Sequence, residues 1–515
     1  MASAGDAPLV IGIDVGTQSL RAIAFDAGGH RVADALRPTP AEMEPDGNGI
    51  YDPNALFDTV IDALIELGRK LAGRPVAGLA VASIGESCVL ADADGRPLAP
   101  SLVWFDRRPA AMADRVAAAI GPERVFAITG LAADPTLTLC KLLWMRQHWP
   151  DAVAGARRLS GIADWIAQRL SGATAMDPSA ASRTLMLDVH RRTWSPEMMA
   201  VAELNPETLP PICPAGTPLG SLLPAHRACT GLAGDLVVGV GAHDHLAGSF
   251  AAGIVRPGMM LDSMGTAEAL LLATAAPLRD PAVGRCGFVQ GVIETDTRLA
   301  YLGGGINSSG GAMEWLRGLF GGVPRKELIA EAAAVPPGSR GVLFVPHLVY
   351  APPPAPDFGA RGAFLGLTPG TTRGALYRAV LEGLALQTRE MIEAMAALPG
   401  VARPEVIRAI GGNVRNPLFL AIKASTLGRP IDVVDEPEAT ALGAALLGGL
   451  AAGLWPTLAA ALAGLGRPVR RIEPDAEAGA YYAELGDTVF RAAQPALKPL
   501  NRSIAALEER GLMQA

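Results

Sequence analysis

Two stretches of this chain repeat one pattern of apolar and polar positions. Residues 10–25 (VIGIDVGTQSLRAIAF) and 259–272 (MMLDSMGTAEALLL) each contain an apolar run, an acid, a glycine-threonine pair and a second apolar run. Two apolar runs joined by a short glycine turn predict a β-hairpin, because glycine accepts the positive φ angles that such turns need. The same hairpin in both halves of the chain indicates a duplicated fold.

Strand-like and helical patterns alternate through the rest of the chain. Apolar runs and helical spacing predict strands at 76–84, 236–240, 341–346 and 406–410, and helices at 53–70, 110–119, 312–319 and 373–396. This order predicts an α/β protein with mixed sheets that carry helices on both faces. The prolines between 352 and 356 predict a stiff, extended loop.

The length of the chain predicts that it is divided into more than one domain. A chain of 515 residues exceeds the size at which one hydrophobic core stops growing. We expect two domains, residues 1–250 and 251–485, with a cleft between them, and a helical tail at 486–515.

The composition limits which cellular compartment and which kinds of partner are expected for the protein. Half of the residues are hydrophobic and 18% are charged, which is typical of a globular protein. The net charge of -7 and the lack of lysine clusters disfavour a nucleic-acid partner. Five scattered cysteines without a C-x-x-C pair argue against disulfides and a cysteine zinc site. Residues 1–6 lack the positive charge of a signal peptide, so we expect a cytoplasmic protein.

One uncharged stretch, residues 440–466, is long enough to span a bilayer. Alanine and glycine dominate it, and Pro456 interrupts it after Trp455. We therefore expect two buried helices broken at this point, with no membrane partner.

The first hairpin carries candidate chemistry at its turn. Asp14 ends a strand, and the backbone N–H groups of the following Gly16, Thr17 and Gln18 would form an anion-binding nest, while the carboxylate would hold Mg²⁺ through water. An ordinary hairpin explains one such motif equally well. Its echo at Gly265 and Thr266 favours two turns that grip one polyphosphate from both sides, in a chain without a Walker sequence.

The segment 237–248 (VVGVGAHDHLAG) resembles a dinucleotide-binding fingerprint, but Asp244 stands in place of the third glycine, which disfavours a nicotinamide enzyme. Because Asp244 follows a buried strand, it would face a crevice and act as a base for a hydroxyl proton. A metal site at His243, Asp244 and His245 is the weaker alternative, since no further histidine or cysteine has ligand spacing.

Polar groups at other strand ends are candidate ligands for a sugar. Glu86, Trp104 and Asp106 each follow an apolar run. Carboxylates accept hydrogen bonds from hydroxyl groups, and an indole covers C–H surface. Taken singly, Trp104 is more often a core residue, so the combination carries the interpretation.

Two glycine-rich segments of the second half are candidate nucleotide contacts. The segment 303–311 precedes a predicted helix, so Gly310 and Gly311 would cradle phosphate, although a long turn is the simpler interpretation. Gly412 and Asn416 follow a predicted strand, where the glycine lets backbone approach a flat ring and the amide pairs with its polar edge.

Together these motifs resemble the FGGY carbohydrate kinases, the family of glycerol kinase, xylulokinase and fuculokinase. The resemblance runs from about residue 10 to residue 455 and rests on IGIDVGTQSLRA, VWFDRR, KLLWM, GVGAHDHLAG, SMGTAEALL, ARGAFLGLT, GGNVRNPLFLAIKASTLGRP and EATALGAALLGG. It implies a duplicated actin-like (ribonuclease H-like) ATPase fold whose domains close on ATP and a sugar. It also implies transfer of the γ-phosphoryl group of Mg-ATP to a hydroxyl.

The resemblance further implies a role for each candidate residue. Asp244 is the expected catalytic base and Asp14 the expected Mg²⁺-organising acid. The expected nucleotide-binding residues are Gly16, Thr17, Gln18, Gly265, Thr266, Gly310, Gly311, Gly412 and Asn416. The expected substrate-binding residues are Glu86, Trp104, Asp106, Thr136, Asp244 and His245.

Departures from glycerol kinases bear on the substrate. Gly85 precedes Glu86 where those enzymes carry an Arg-Glu pair, Thr136 replaces a tyrosine and Ala269 replaces a phenylalanine. Three smaller side chains predict a roomier pocket, so a ketose such as a pentulose (xylulose-, ribulose- or fuculose-like) is the expected substrate. A polyol kinase acting on erythritol or glycerol is the alternative, and a sugar-independent actin-like ATPase or chaperone is a more distant rival. The expected partners are ATP and the small acceptor, and a homodimer is the candidate assembly.

Overall fold

The computed structural model describes residues 7–466 and 469–511. The strands within them are β1 (Leu9–Val15), β2 (Ser19–Phe25), β3 (Arg31–Pro38), β4 (Glu42–Met43), β5 (Gly49–Tyr51), β6 (Val76–Ser83), β7 (Cys88–Ala91), β8 (Ser101–Leu102), β9 (Arg158–Gly161), β10 (Leu187–Asp188), β11 (Thr193–Trp194), β12 (Pro218–Ser221), β13 (Val237–His243), β14 (Met259–Met264), β15 (Glu268–Thr274), β16 (Val289–Glu294), β17 (Arg298–Ile306), β18 (Leu343–Val345), β19 (Ala363–Leu365), β20 (Val406–Ile410), β21 (Ile431–Val434) and β22 (Val469–Ile472).

The helices of the same residues connect and cover these strands. They are α1 (Pro53–Leu71), α2 (Ala110–Ile120), α3 (Pro122–Thr129), α4 (Thr138–His148), α5 (Pro150–Gly155), α6 (Ile162–Ser171), α7 (Pro178–Ser182), α8 (Pro196–Ala202), α9 (Pro224–Thr230), α10 (Asp244–Ala251), α11 (Ala282–Arg285), α12 (Gly310–Leu319), α13 (Arg325–Ala333), α14 (Arg373–Ala397), α15 (Pro417–Leu427), α16 (Ala439–Ala451), α17 (Leu458–Gly464), α18 (Ala476–Leu485) and α19 (Arg491–Glu509).

Two large sheets repeat one topology. The first has the strand order β12-β13-β6-β1-β2-β3, and the second has β16-β17-β15-β14-β20-β21-β22. In each, the hairpin is antiparallel, its first strand pairs in parallel with the next long strand, and that strand pairs in parallel with a third. The duplication indicated by the two hairpins is therefore confirmed, and the fold is the two-domain, actin-like α/β arrangement.

Two helices lie between the sheets and join them. Helix α16 packs on the first sheet, where a Cβ atom on Gly12 would lie 1.7 Å from the carbonyl oxygen of Ala441. Helix α10 crosses α16, and a Cβ atom on Gly443 would lie 1.8 Å from the carbonyl oxygen of Ala247. Because these glycines carry no side chain, backbone packs directly on backbone at the centre of the molecule.

Most predicted elements are confirmed, and one is corrected. The uncharged stretch forms α16 and α17, separated at Trp455-Pro456, and among the described residues no helix is long and apolar enough to cross a membrane. The predicted loop at 303–311 is shorter than expected, because β17 continues to Ile306 and pairs with β15. The N-terminal residues 1–6, which carried the signal-peptide argument, lie outside the described residues.

Candidate active site

Three acidic side chains of the first half gather where parallel strands end. Asp14 lies near the end of β1, Glu86 follows β6, and Asp244 follows β13 as the first residue of α10. Neighbouring parallel strands bring their carboxyl ends to one edge of a sheet, which is where ligands bind in open α/β folds. The structure thus brings together three of the predicted acids.

Asp14 and Asp244 are close enough to influence one another. Burial, and secondly the negative charge of Asp244, raise the pKa of Asp14 to about 7, and Arg21 only partly opposes them. The carboxylate oxygen Oδ1 of Asp244 accepts a hydrogen bond from the backbone N–H of His245 at 2.6 Å. Two carboxylates that repel each other at the edge of a sheet favour the binding of a cation or a proton between them.

The turn of the first hairpin presents backbone donors beside these acids. The N–H group of Gly16 closes the turn on the carbonyl of Ser19 at 3.1 Å. Within the described residues, the next two N–H groups, those of Thr17 and Gln18, have no backbone acceptor, which leaves them open to an anion. The hydroxyl of Thr17 accepts a hydrogen bond from the indole N–H of Trp104 at 2.9 Å, so the indole joins the hairpin to the segment that follows β8.

Glu86 forms the wall of the same site together with a residue that sequence reasoning missed. Arg183, which caps the C-terminus of α7, donates from Nε to Oε1 of Glu86 at 2.7 Å. Burial alone would raise the pKa of Glu86, but the charges of Arg183, His243 and Lys141 lower it to about 2. Lys141 is fully buried and donates to the backbone oxygen atoms of Glu86 and Trp104 at 3.3 and 3.0 Å. The carboxylate therefore stays ionised.

Gly85 lies directly against this wall. A Cβ atom built on it would lie 2.2 Å from Cδ2 of His243 and 2.9 Å from Cγ of Arg183. The space next to Gly85 is therefore filled by these two side chains, and the expectation of a roomier pocket is wrong at this position.

The turn of the second hairpin is the meeting point of three segments. The carbonyl of Gly265 accepts hydrogen bonds from the N–H of Gly310 at 3.1 Å and from Nδ2 of Asn413 at 2.7 Å. The carbonyl of Thr266 accepts from the N–H groups of Ser309 and Gly311 at 2.9 and 3.0 Å. The N–H of Gly265 closes the turn on the carbonyl of Ala267, as that of Gly16 does in the first hairpin.

This junction corrects the role expected for Gly310 and Gly311. Their N–H groups already bind the hairpin, so they are not free donors for phosphate. A Cβ atom on Gly310 would lie 2.6 Å from Nδ2 of Asn413, so glycine is needed here for close packing of the start of α12. The two residues hold the turn of the second hairpin in place.

A buried ionic cluster lies beneath the second turn. Nζ of Lys423 lies 2.5 Å from Oδ2 of Asp262 and 2.6 Å from Oε1 of Glu268, and all three side chains are fully buried. Glu268 also accepts hydrogen bonds from the hydroxyl groups of Ser309 and Thr388, at 2.9 and 2.8 Å. The cluster ties the second hairpin to α12, α14 and α15.

Family models for the N-terminal and the C-terminal domain of the FGGY family of carbohydrate kinases match residues 9–251 and 260–452. The chain belongs to the FGGY family. The glycerol kinase of Gloeobacter violaceus is 34% identical over 92% of this chain and 94% of its own length. FGGY kinases transfer a phosphoryl group from ATP to an alcohol group of a sugar or polyol, and this chain is such an enzyme.

Solved structures of FGGY kinases have the same fold. The xyloylose kinase from Brucella ovis superimposes with a TM-score of 0.86 at 28% identity, covering 96% of this chain and all of that one. The xylulose kinase from Rhodospirillum rubrum gives 0.85 at 28% identity, again over 96% and 100% of the two chains.

Three further residues that were expected to bind substrate or nucleotide, Asp106, Thr136 and Asn416, form hydrogen bonds within the protein. Asp106 has no exposed surface, and its carboxylate accepts hydrogen bonds from Arg108 and from the N–H of Gly49, so it braces the loop before α2. The hydroxyl of Thr136 donates to Oδ1 of Asp134 at 2.7 Å. Asn416 is buried and uses its amide oxygen to cap α15 through the N–H of Phe419.

Gly412 remains a candidate nucleotide contact of this FGGY kinase. Nothing would lie within 4 Å of a Cβ atom on Gly412. It lines an open depression together with Gly411, Val414, Arg415 and Asp435. A flat ring has room to lie against this backbone.

Proposed function

We propose that this FGGY kinase phosphorylates a terminal hydroxyl of a small polyol, of the size of glycerol or a tetritol. The filled space beside Gly85 carries the proposal, because it removes the reason to expect a larger acceptor. The near full-length similarity to a glycerol kinase supports the same class of acceptor. A polyol acceptor, which the sequence analysis gave as the alternative, is therefore better supported than a ketose acceptor.

Asp244 is the proposed general base. It accepts the proton of the acceptor hydroxyl while that oxygen forms a bond to the γ-phosphorus and the bond from phosphorus to the β–γ bridging oxygen breaks, releasing ADP. The open N–H groups of the Thr17 and Thr266 turns stabilise the negative charge on the transferring group. Glu86, held by Arg183, and Trp104 orient the acceptor.

The site also fits Mg²⁺. Burial, followed by the charge of Asp244, raises the pKa of Asp14, and a divalent cation between the two carboxylates would offset both effects. Asp14 would hold the ion through water, and the bound ion would neutralise charge on the triphosphate.

A ketose is the second candidate acceptor. Two solved FGGY kinases that are 28% identical to this chain are described as xyloylose and xylulose kinases. Thr136 and Ala269 are both half-buried small residues, and they leave this candidate open to experiment.

An ADP-release assay across glycerol, erythritol, pentuloses and hexuloses tests the proposal. We expect MgATP-dependent turnover with a three- or four-carbon polyol at a kcat/KM at least 10-fold above that of any ketose, and loss of turnover when EDTA removes the metal. A higher kcat/KM for a pentulose would overturn the polyol proposal. ATP hydrolysis that no carbohydrate stimulates would contradict acceptor phosphorylation altogether.

A further inference from the structure

The first turn of helix α4 contacts the backbone of both residues that are proposed to orient the acceptor. The hydroxyl of Thr138, which begins the helix, donates to the carbonyl oxygen of Glu86 at 3.2 Å. Nζ of Lys141, one turn further along, donates to that same oxygen at 3.3 Å and to the carbonyl oxygen of Trp104 at 3.0 Å. Lys141 therefore joins the segment that follows β6 to the segment that follows β8.

The same turn of α4 also contacts the segment that carries Arg183. The N–H of Leu139 donates to the carbonyl oxygen of Thr184 at 3.0 Å. Thr184 directly follows Arg183, whose guanidinium group pairs with the carboxylate of Glu86. Three segments that are distant in sequence are thus held by one turn of one helix.

The ammonium group of Lys141 is buried without an ionic partner. Lys141 has no exposed surface, and within the described part of the chain no ion pair joins Nζ to a carboxylate. Lysine is almost never fully buried unless it is paired, because removing a charge from water is costly. Packing alone would be served as well by an apolar side chain of the same length. The hydrogen bonds to the two carbonyl oxygens, and not packing, account for the charge.

The charge of Lys141 changes within an accessible range of pH. Burial lowers the pKa of Lys141 to about 8, although Glu86, Cys88, Asp106 and Asp134, which surround the ammonium group, oppose this. Burial raises the pKa of the Cys88 thiol to about 11, so this neighbour keeps its proton when Lys141 loses its own. The folded protein therefore carries the ammonium form below about pH 8 and the neutral amine above it.

We propose that Lys141 is a positioning residue for the acceptor, because its ammonium group fixes the backbone of Glu86 and Trp104 and thereby the direction of both side chains. This inference rests on the proposed polyol kinase function. Hydrogen bonds from an ionised donor are stronger than those from a neutral one. Loss of the proton or of the ammonium group therefore weakens acceptor binding, and it affects ATP much less, because ATP is proposed to bind at other segments.

The pH dependence of the wild-type enzyme tests this role without a variant. KM for glycerol and KM for ATP are measured from pH 7.5 to pH 9.5, a range above the pKa of Asp14, which is about 7. KM for glycerol should rise about 10-fold, since each pH unit above the pKa of Lys141 removes up to about 10-fold of the ammonium form. KM for ATP should stay within a few-fold. A KM for glycerol that stays constant over this range overturns the inference.

Lys141→Met distinguishes Lys141 from other groups that titrate. KM for glycerol at pH 7.5 should rise about 10- to 100-fold, the factor for a lost hydrogen bond from a charged group, and should no longer depend on pH. KM for ATP should stay within a few-fold, whereas a purely structural role would change KM for both substrates together. Lys326→Met, at an exposed position of α13, is the matched control and should keep the wild-type values. A Lys141→Met enzyme with the wild-type pH dependence overturns the inference.

Thr138→Val is a milder change that tests the same backbone if Lys141→Met does not fold. It removes one of the two donors to the carbonyl oxygen of Glu86 and no charge. KM for glycerol should rise about 3- to 10-fold, the factor for a neutral hydrogen bond, and should still increase above pH 8. A folded Thr138→Val enzyme with wild-type KM for glycerol would show that this backbone does not govern acceptor binding.

The two proposals fail in different ways. If a ketose and no polyol is phosphorylated, the polyol function fails, and the role of Lys141 is decided by the same KM measurements with that ketose. ATP hydrolysis that no carbohydrate stimulates overturns both proposals. If glycerol is a substrate and its KM responds neither to pH nor to Lys141→Met, only the role of Lys141 fails.

Discussion

Two aspartates at equivalent positions of the repeated hairpins have different surroundings. Asp14 is half-buried beside Asp244, with no lysine among the groups that shift its pKa. Asp262 is fully buried and paired with Lys423 at 2.5 Å. A paired carboxylate is not available to a cation, whereas Asp14 is. The two halves therefore share a backbone arrangement but differ in chemistry, and of these two aspartates only Asp14 suits the proposed Mg²⁺ site.

Replacing Asp244 by asparagine tests the base directly. The change removes the proton acceptor while preserving the size of the side chain, so kcat should fall by about 10²- to 10⁴-fold. Binding of ATP, measured by calorimetry, should stay within a few-fold of wild type, because the nucleotide turns are untouched. Wild-type turnover by this variant would show that another group takes the proton.

The sequence predicts those site residues that lie at strand ends and turns. Asp14, Thr17, Glu86, Trp104 and Asp244 follow apolar runs, and the structure brings them to one edge. Contacts between distant segments leave no such pattern. Arg183 meets Glu86 across 97 positions of the chain, and no local signal marks it.

The role of a side chain within a motif is equally hidden from the sequence. Asn416 stands directly before Pro417, the first residue of α15, and this position suits a helix cap as well as a ligand contact, so the sequence alone does not decide between the two roles. The burial of Asp106 depends on its pairing with Arg108, which no spacing of apolar residues reveals.

At the scale of elements, hairpins and long helices were predictable because their periodicity is local. The hairpin strands, α1 and α14 all appear within a few residues of the expected bounds. The extent of β17 was not, because the glycines at 303–305 favour a loop locally, whereas pairing with β15 keeps them in a strand. Strand pairing outweighed the local preference of glycine.

The N-cap residue of helix α7, Asp177, is buried, and burial disfavours its ionised form. Burial raises the pKa of Asp177 to about 6 from 3.8, although hydrogen bonds from Ser179 and Ala180 oppose this. The folded protein thus binds more protons than the unfolded chain between about pH 4 and pH 6. Stability contributed by this site falls as the pH rises through that window and stays low above it.

Asp177→Asn should therefore stabilise the protein at pH 8 and much less at pH 4. Asparagine is an equally good cap, and removal of the charge is worth up to about 3 kcal/mol for two pKa units. Thermal melting at both pH values measures the difference. An equal change in melting temperature at pH 4 and pH 8 would contradict the prediction, and Asp52→Asn, at the exposed cap of α1, reports the general effect of such a change.

At the scale of the whole molecule, the halves meet at the crossing of α10 and α16. Gly443→Ala places a Cβ atom where the carbonyl oxygen of Ala247 would be 1.8 Å away. We expect the helices to separate, the melting temperature to fall and kcat to drop at least 10-fold, because closure is disturbed.

Gly318→Ala is the matched control for this change. It also lies within a helix, and nothing would be within 4 Å of its Cβ atom. Alanine there should stabilise the protein by up to about 1 kcal/mol through helix propensity alone. If Gly443→Ala behaved like this control, the crossing would not govern the relation of the halves.

The position of the crossing also limits how far Asp244 can move when the two halves rotate. Asp244 is the first residue of α10 and lies only three positions before Ala247 at the contact. At about 1.5 Å per residue the two positions are about 4–5 Å apart along the helix axis, so a tilt of α10 by about 10° about the contact would move the proposed base by less than about 1 Å. A rotation of the two halves about this contact would therefore displace distant parts of the molecule by much more than the carboxylate of Asp244.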